Sequence, residues 1–360
     1  MSSDDMTGIE SHPPSVRPLI VRFGALGDMV LLGAAIRELS ARYQSPIDVV
    51  TSGDWSKVVL EGQPGVGVVY RIKSRKRPYW LSPSQWRLIQ QLKRRAPGPV
   101  WFLDPTDVGL KLLHRAGISQ NNIVCFNSFS HSTSDHIVSK TARVIRCSPK
   151  AFPSNFRVSL IEEAFTASLL DIHSSWKSDL DQWLRGQPFG DQKLILFQAG
   201  NSVTTRRGRL SRATNYKYWP LRNWAKVIQH CADLYPNHAL LLIGQPSEYP
   251  LNQKIKQLVQ RPHLYNVAHD VPLTRLIALC NASDALISVD TGPAHIAAAV
   301  GLPMVVLFGS SRPEEYKPVS ALGSQVLCVD TPRPPYLRHL TVEPVLKAVD
   351  FLQLKMTPLL

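Results

Sequence analysis

Apolar residues along this chain fall into short unbroken runs separated by stretches with helical spacing. Leu19-Ile20-Val21-Arg22-Phe23 reads as a buried strand, and Gly24-Ala25-Leu26-Gly27 turns the chain. From Asp28 to about residue 43 the apolar positions Met29, Leu32, Ile36 and Leu39 keep the period of a helix. A second strand is predicted at 47–51. Further strands are predicted at 67–72 and 100–103, with a helix over 83–95. Residues 121–153, rich in Ser, Asn, His and Pro, give weak signals, and helices are predicted at 162–170 and 178–184. Gly186-Gln187-Pro188-Phe189-Gly190 then punctuates the chain as a linker.

The same rhythm restarts in the second half. Leu194-Ile195-Leu196-Phe197 is a strand ending at Gly200. Helices are predicted at 221–234, 252–259, 273–281 and 293–300, alternating with strands at 239–243, 285–289 and 304–308. Strands alternating with helices predict α/β architecture with parallel, helix-covered sheets. Two doubly wound, Rossmann-like domains are therefore expected, facing one another across a central cleft. The divisions are a disordered leader over 1–17, an N-terminal domain over 18–185 and a C-terminal domain over 186–340. Residues 341–360 are expected to form a C-terminal helix that packs back toward the N-terminal domain.

Composition narrows the class. The chain has 360 residues, enough for two ordinary domains, and 44% hydrophobic residues give no case for disorder. A formal charge of +14 favours anionic partners: nucleotide phosphates, nucleic acid or an acidic membrane surface. Cys125, Cys147, Cys231, Cys280 and Cys328 are scattered, without a CxxC or Cys/His cluster, so buried free thiols are expected and a zinc site is not. The leader lacks the basic start and apolar core of a signal peptide. The most apolar later stretch, 295–309, is broken by Gly301 and Pro303, too short and interrupted to span a bilayer. A cytoplasmic location is expected, with contact at a membrane surface.

Ligands in such sheets bind at the carboxyl ends of strands, and three segments qualify. In Gly24-Ala25-Leu26-Gly27-Asp28 the glycines let backbone approach a ligand, and Asp28 stands at a helix mouth. Helix capping alone would also explain Asp28. The turn does not match the GxGxxG dinucleotide fingerprint. Asp290-Thr291-Gly292-Pro293-Ala294-His295 follows a strand and opens a helix, an arrangement suited to an anion. A Thr cap, Pro at the first helical position and a buried structural histidine would produce the same pattern. The loop 200–220 carries Thr204, Thr205, Arg206, Arg207, Arg209, Arg212 and Lys217, hydroxyls and cations suited to a diphosphate or simply to a solvated surface. A fourth segment, Arg71-Ile72-Lys73-Ser74-Arg75-Lys76-Arg77, suits an acidic acceptor or anionic headgroups, and equally a basic nucleic-acid tract.

At these residues the sequence resembles glycosyltransferase family 9, whose best-known members are the ADP-heptose:lipopolysaccharide heptosyltransferases. The similarity runs from Leu19 through Asp28 to Leu31, resumes at Lys217-Tyr218-Trp219-Pro220 with Trp224, and is strongest from Ser288 to Ala299 and on to Gly309. It is thin between Asn121 and Asp191. The resemblance implies the GT-B fold and an inverting, metal-independent sugar transfer without a cofactor. It implies Asp28 as general base within the turn of Gly24 and Gly27. In the nucleotide-sugar-binding C-terminal domain, Thr291, Gly292 and His295 would hold the donor diphosphate, aided by Thr204, Thr205 and Lys217, with Asp290 shaping the site beside them and Glu248 toward the nucleotide ribose. Arg71, Lys73, Arg75 and Arg77 would meet an acidic glycolipid acceptor, the lipid A core. Asp104 and Lys111 resemble a family Asp…Lys pair with altered spacing.

Two features depart from the family pattern. The loop from Gly200 to Lys217 is long and Arg-rich, and the region 126–147 matches no acceptor pattern. The competing readings are a family relative with another nucleotide sugar and glycan acceptor, and a non-catalytic basic protein serving as a scaffold or binding nucleic acid. The clustering of cations at ligand-binding edges and the absence of a nucleic-acid motif weigh against nucleic acid as a partner.

Overall fold

The unbroken apolar runs become the inner strands of two parallel sheets, because a parallel strand is covered by helices on both faces and has no solvent side to alternate toward. The computed structural model describes residues 16–75, 78–129, 135–157, 167–206, 209–210, 215–309, 311–331 and 336–355. In the first sheet β1 (Leu19–Val21) lies between β2 (Ile47–Ser52) and β4 (Val100–Phe102). The edges are β3 (Val66–Ile72) and β5 (Ile123–Cys125), giving the order β3-β2-β1-β4-β5 with every pairing parallel. The connections carry α1 (Leu26–Tyr43), α2 (Trp55–Leu60), α3 (Pro83–Lys93), α4 (Val108–Arg115) and α5 (Ile137–Arg146).

After α6 (Ser174–Arg185), β6 (Lys193–Gln198) opens the second sheet. A small antiparallel pair, β7 (Thr205–Arg206) and β8 (Arg209–Leu210), lies in the loop beyond it. The remaining strands are β9 (His238–Leu242), β10 (Leu264–Asn266), β11 (Ala285–Val289), β12 (Met304–Phe308) and β13 (Val326–Asp330). Their order is β10-β9-β6-β11-β12-β13, again all parallel. The helices are α7 (Leu221–Leu234), α8 (Tyr249–Val259), α9 (Leu273–Ala282), α10 (Gly292–Ala299), α11 (Pro313–Tyr316) and α12 (Glu343–Asp350). Every residue of β11 and β12 is buried.

The structure corrects several expectations. The stretch 121–153 is not featureless: α5 buries Val138, Ala142 and Ile145, a helical spacing masked by the polar residues around it. Of the helix expected at 162–170, residues 162–166 lie outside the described residues. Ser168 instead makes an isolated parallel bridge to Ser320. The linker at 186–190 does not separate the two units cleanly, because α6 packs on α9. There Arg275 donates from Nε and Nη2 to the Asp179 carboxylate, both at 2.9 Å, and its guanidinium lies 5.3 Å from the Trp183 ring centre. Nor does α12 turn back toward the first sheet: it packs on α7, β12 and β13, and His230 and Asp350 meet at 2.6 Å. Its apolar Val345 and Val349 complete the second core. Of the five free cysteines only Cys231 and Cys280 are buried, and burial pushes both thiols up to about 12. None of the helices among the described residues is long and apolar enough to cross a membrane.

Candidate active site

The strand β1 delivers the chain to Phe23, whose amide donates to Asp104 Oδ2 at 2.8 Å. Asp104 is fully buried and also accepts from the Thr106 amide, so it fixes the start of the glycine turn. The expected Asp104–Lys111 pairing gives way to this arrangement: Arg75 approaches Asp104 at 3.9 Å, and Lys111 stands exposed on α4. The helix α1 begins at Leu26, two residues earlier than its periodicity suggests, which places Asp28 in the first turn. Asp28 Oδ2 accepts the Ala25 amide at 2.7 Å, satisfying a donor at the helix N-terminus. Arg22 Nη2 donates to Asp28 Oδ1 at 2.7 Å, and its Nη1 donates to the Leu103 carbonyl. Capping and charge pairing thus hold Asp28 without burying it, its side chain remaining 27% exposed. A small recess beside it is lined by Leu31, Leu103, Val138 and Thr141.

The second half arrives from the opposite side. The N-terminus of α10 packs against that of α1. A Cβ on Gly292 would lie 2.8 Å from Leu26 side-chain carbons, and one on Gly27 would lie 2.6 Å from His295 Cδ2. Only glycine allows this approach of the two helix mouths. Thr291 occupies the N-cap position of α10, yet its side chain makes no capping bond. His295 is buried, its Nδ1 has no hydrogen-bond partner, and burial lowers its imidazole to about 4 against the opposing pull of Asp290 and Asp28. It is neutral at neutral pH.

Lys217 Nζ donates to the Asp290 carboxylate at 2.7 Å and to the Asp290 carbonyl at 2.6 Å. Ser311 Oγ donates a second bond to the same carboxylate. Asn201 and Asn215 shape the loop beneath: Asn215 Oδ1 accepts the Lys217 amide and Asn201 Nδ2. Thr204 is buried, and its hydroxyl accepts the Asn201 amide at 2.6 Å, closing the start of the loop. The Thr205 side chain, Arg207 and Arg212 lie outside the described residues.

Glu248 sits at the carboxyl edge of the second sheet. Its Oε2 accepts the Gln245 amide at 2.7 Å, and Oε1 is buried without a partner. Burial raises its carboxyl pKa, with the bonds from Gln245 and Gln198 opposing. The carboxylate lies against Gly200, where a Cβ would overlap it. Of the basic tract, Arg75 reaches the turn itself, donating to the Phe23 carbonyl at 2.9 Å. Arg71 instead pairs with Asp54, Lys73 is exposed, and Arg77 lies outside the described residues.

The structure therefore brings together Gly24, Gly27, Asp28, Lys217, Asp290, Thr291, Gly292 and His295. Sequence reading missed Arg22 and Ser311. Arg22 left one signal, a charged residue interrupting an apolar strand. Among the described residues, no group of three or more His, Cys, Asp or Glu side chains converges as metal ligands would.

The comparisons with known proteins meet this geometry. A family model described as glycosyltransferase family 9 (heptosyltransferase) matches residues 202–345. Lipooligosaccharide heptosyltransferase 2 of Haemophilus influenzae is 29% identical over 107 residues, which cover 29% of this chain and 30% of the relative. Lipopolysaccharide heptosyltransferase 2 of Escherichia coli is 27% identical over a stretch of the same length and coverage. The chain thus aligns with under a third of the curated relatives' length. The solved E. coli ADP-heptose heptosyltransferase II has a TM-score of 0.67 at 17% identity, covering 93% of this chain and 98% of that one. A family 9 glycosyltransferase from Veillonella parvula has a TM-score of 0.70 at 17% identity, covering 94% and 97%. These likenesses show the GT-B fold.

Proposed function

We propose that this chain, related to glycosyltransferase family 9 through its second half, transfers a sugar from a nucleotide-diphosphate donor to an acidic glycolipid acceptor. The finer reading is heptose from ADP-heptose onto the inner core of lipopolysaccharide, at the cytoplasmic face of the inner membrane. One observation carries it: Asp28 on one helix mouth stands across a glycine-lined contact from the Asp290-to-His295 segment, where Lys217 lies against Asp290. A base and an anion site on opposing sheets suit a reaction that joins an acceptor to a diphosphate donor. The sequence relatives, both heptosyltransferases, support heptosyl transfer, and the fold likeness to E. coli heptosyltransferase WaaC, solved with ADP, supports the adenine nucleotide.

In this reading the acceptor hydroxyl oxygen attacks the anomeric carbon from the face opposite the nucleotide. The new carbon–oxygen bond forms as the carbon–phosphate-oxygen bond breaks, and its electron pair leaves on the nucleoside diphosphate. The hydroxyl proton passes to Asp28, adequate as a base because the hydroxyl acidifies only as the bond forms. Arg22 and the Ala25 amide orient that carboxylate. The growing diphosphate charge meets the N-terminus of α10, the Thr291 hydroxyl and Lys217. Neutral His295 supplies its unpartnered ring nitrogen, and Glu248 faces the ribose. One displacement inverts the anomeric centre, with no cofactor or metal.

Calorimetric titration of ADP, GDP, UDP and dTDP without added metal tests the donor half. Preference for ADP, followed by heptose transfer with inverted product configuration, supports the full reading. Preference for UDP or GDP removes the heptose assignment and keeps the transferase. Absence of binding by all four overturns the proposal.

A further inference from the structure

The segment from Arg71 to Arg95 carries nine Lys and Arg residues and no Asp or Glu. Within it, three large apolar side chains stand in solvent: Trp80 is 66% exposed, Leu81 54% and Trp86 46%. They do not belong to an unfinished core. The inner face of α3 already buries Leu88, Ile89 and Leu92, while Trp86, at the flank of that face, stays exposed. Tyr79 meets the Trp86 ring edge-on at 6.4 Å, and Arg115 from α4 covers Tyr79 at 4.6 Å.

The basic and aromatic parts form one surface. Ser84 Oγ accepts the Lys73 amide at 3.1 Å, and Gln85 Nε2 donates to the Ser74 carbonyl at 2.9 Å. These bonds hold the loop 73–75 onto the first turn of α3, and Lys73, Arg75 and Arg87 are exposed around the aromatics. A cluster of exposed Trp and Leu ringed by cations matches an anionic bilayer, whose headgroups attract Lys and Arg and whose interface takes up indole rings. Leu81, 54% exposed between the aromatics, offers no ring on which a base could stack, which favours the bilayer over a nucleic-acid strand.

We propose that the tip Tyr79–Leu81 and the first turn of α3 dock this protein onto an anionic lipid surface, Trp80, Leu81 and Trp86 entering the interface and Lys73, Arg75, Arg87 and Arg115 facing the headgroups. Arg75 links this face to the candidate active site, since it bonds the carbonyl of Phe23, the residue before the glycine turn. Docking then presents the Asp28 side of the cleft to a lipid-borne acceptor. This part of the inference rests on the proposed function, and the docking itself does not.

Co-sedimentation of the full chain with phosphatidylcholine vesicles, with and without phosphatidylglycerol, tests it. Binding requires phosphatidylglycerol and weakens with salt. Trp80→Ser with Leu81→Ser lowers vesicle affinity at least about ten-fold, from the loss of two inserted side chains. Arg87→Glu lowers it separately, and both variants keep wild-type nucleotide affinity and melting temperature. Equal binding to neutral vesicles, or vesicle binding unchanged by the double variant, overturns the proposal. Loss of single-stranded DNA binding with these substitutions, in a protein that ignores vesicles, also overturns it in favour of a nucleic-acid surface. Sugar transfer to a detergent-dispersed acceptor without vesicle binding defeats docking alone. Vesicle binding without nucleotide binding defeats the transferase reading alone.

Discussion

Gly27 lies beneath the imidazole of His295, so close that a Cβ there would fall 2.6 Å from Cδ2, although 268 positions separate the two residues. The two halves of the chain meet at this contact, and it sets the distance between the Asp28 carboxylate and the α10 helix mouth. Gly27→Ala is expected to push α10 away, costing about 1–3 kcal/mol of stability as overpacking does, and weakening nucleotide binding. Gly186→Ala is the control: its Cβ meets only the Trp183 carbonyl at 3.5 Å. Thermal denaturation with nucleotide titration checks both, and equal effects in the two variants would discard the idea.

Asp28→Asn keeps nearly the same shape and removes the base. Transfer should fall about 10²–10⁴-fold while nucleotide affinity is kept, the range of general-base catalysis. Arg22→Met should lower turnover with little change in nucleotide affinity, because Arg22 touches Asp28 and Leu103 on the acceptor side. Turnover at wild-type rate in Asp28→Asn would remove it as the base.

Lys217→Met leaves Asp290, with a side chain only 6% exposed, without its cation. Both stability and nucleotide affinity should drop, the latter by about 10–100-fold for one charge-assisted bond. The double variant Lys217→Met with Asp290→Asn should recover stability, since no buried charge is stranded, but not affinity. Recovered affinity in the double variant would show that Lys217 merely neutralises Asp290.

Stability should fall as pH drops from about 6.5 toward 4. Burial keeps the folded His295 imidazole at about 4, against 6.5 in the unfolded chain, so unfolding takes up a proton across that window. Each such proton contributes a slope of up to about 1.4 kcal/mol per pH unit. His136 is also lowered by burial and acts in the same direction. His295→Gln should flatten the melting-temperature profile in this window without abolishing its slope; an unchanged slope would contradict the assignment.

Glu248 carries a cost of the opposite sign. Burial raises its carboxyl pKa in the folded state, so its contribution to stability is lost as pH rises through that raised value. Glu248→Gln should melt higher at neutral pH, by about 2–4 °C for each kcal/mol recovered, and bind nucleotide more weakly. A variant that melts lower and binds equally would make Glu248 a structural residue.

Local pattern revealed much of this architecture. The runs at 285–289 and 304–308 match β11 and β12, and the spacing at 221–234 matches α7, because periodicity and turn residues act within a few neighbours. It failed where burial depends on distant partners. The short β5 and β10 are strands because β4 and β9 lie beside them. Helix α5 buries a stripe that its polar composition hid. The ends of the second unit follow the same rule: α6 packs on α9, and α12 on α7, β12 and β13, partners that no run of residues encodes.

The sequence by itself determined the two parallel α/β units, the glycine turn ahead of Asp28 and the strand-to-helix motif at Asp290 to His295, since each is written in contiguous residues. Only the tertiary structure decided that these segments oppose one another, that Lys217 is held by Asp290, that the Thr204 hydroxyl is buried on the Asn201 amide and that Arg22 secures Asp28. Those outcomes turn on packing between residues far apart in the chain, where a few tenths of an ångström, as at Gly27 and His295, separate contact from collision.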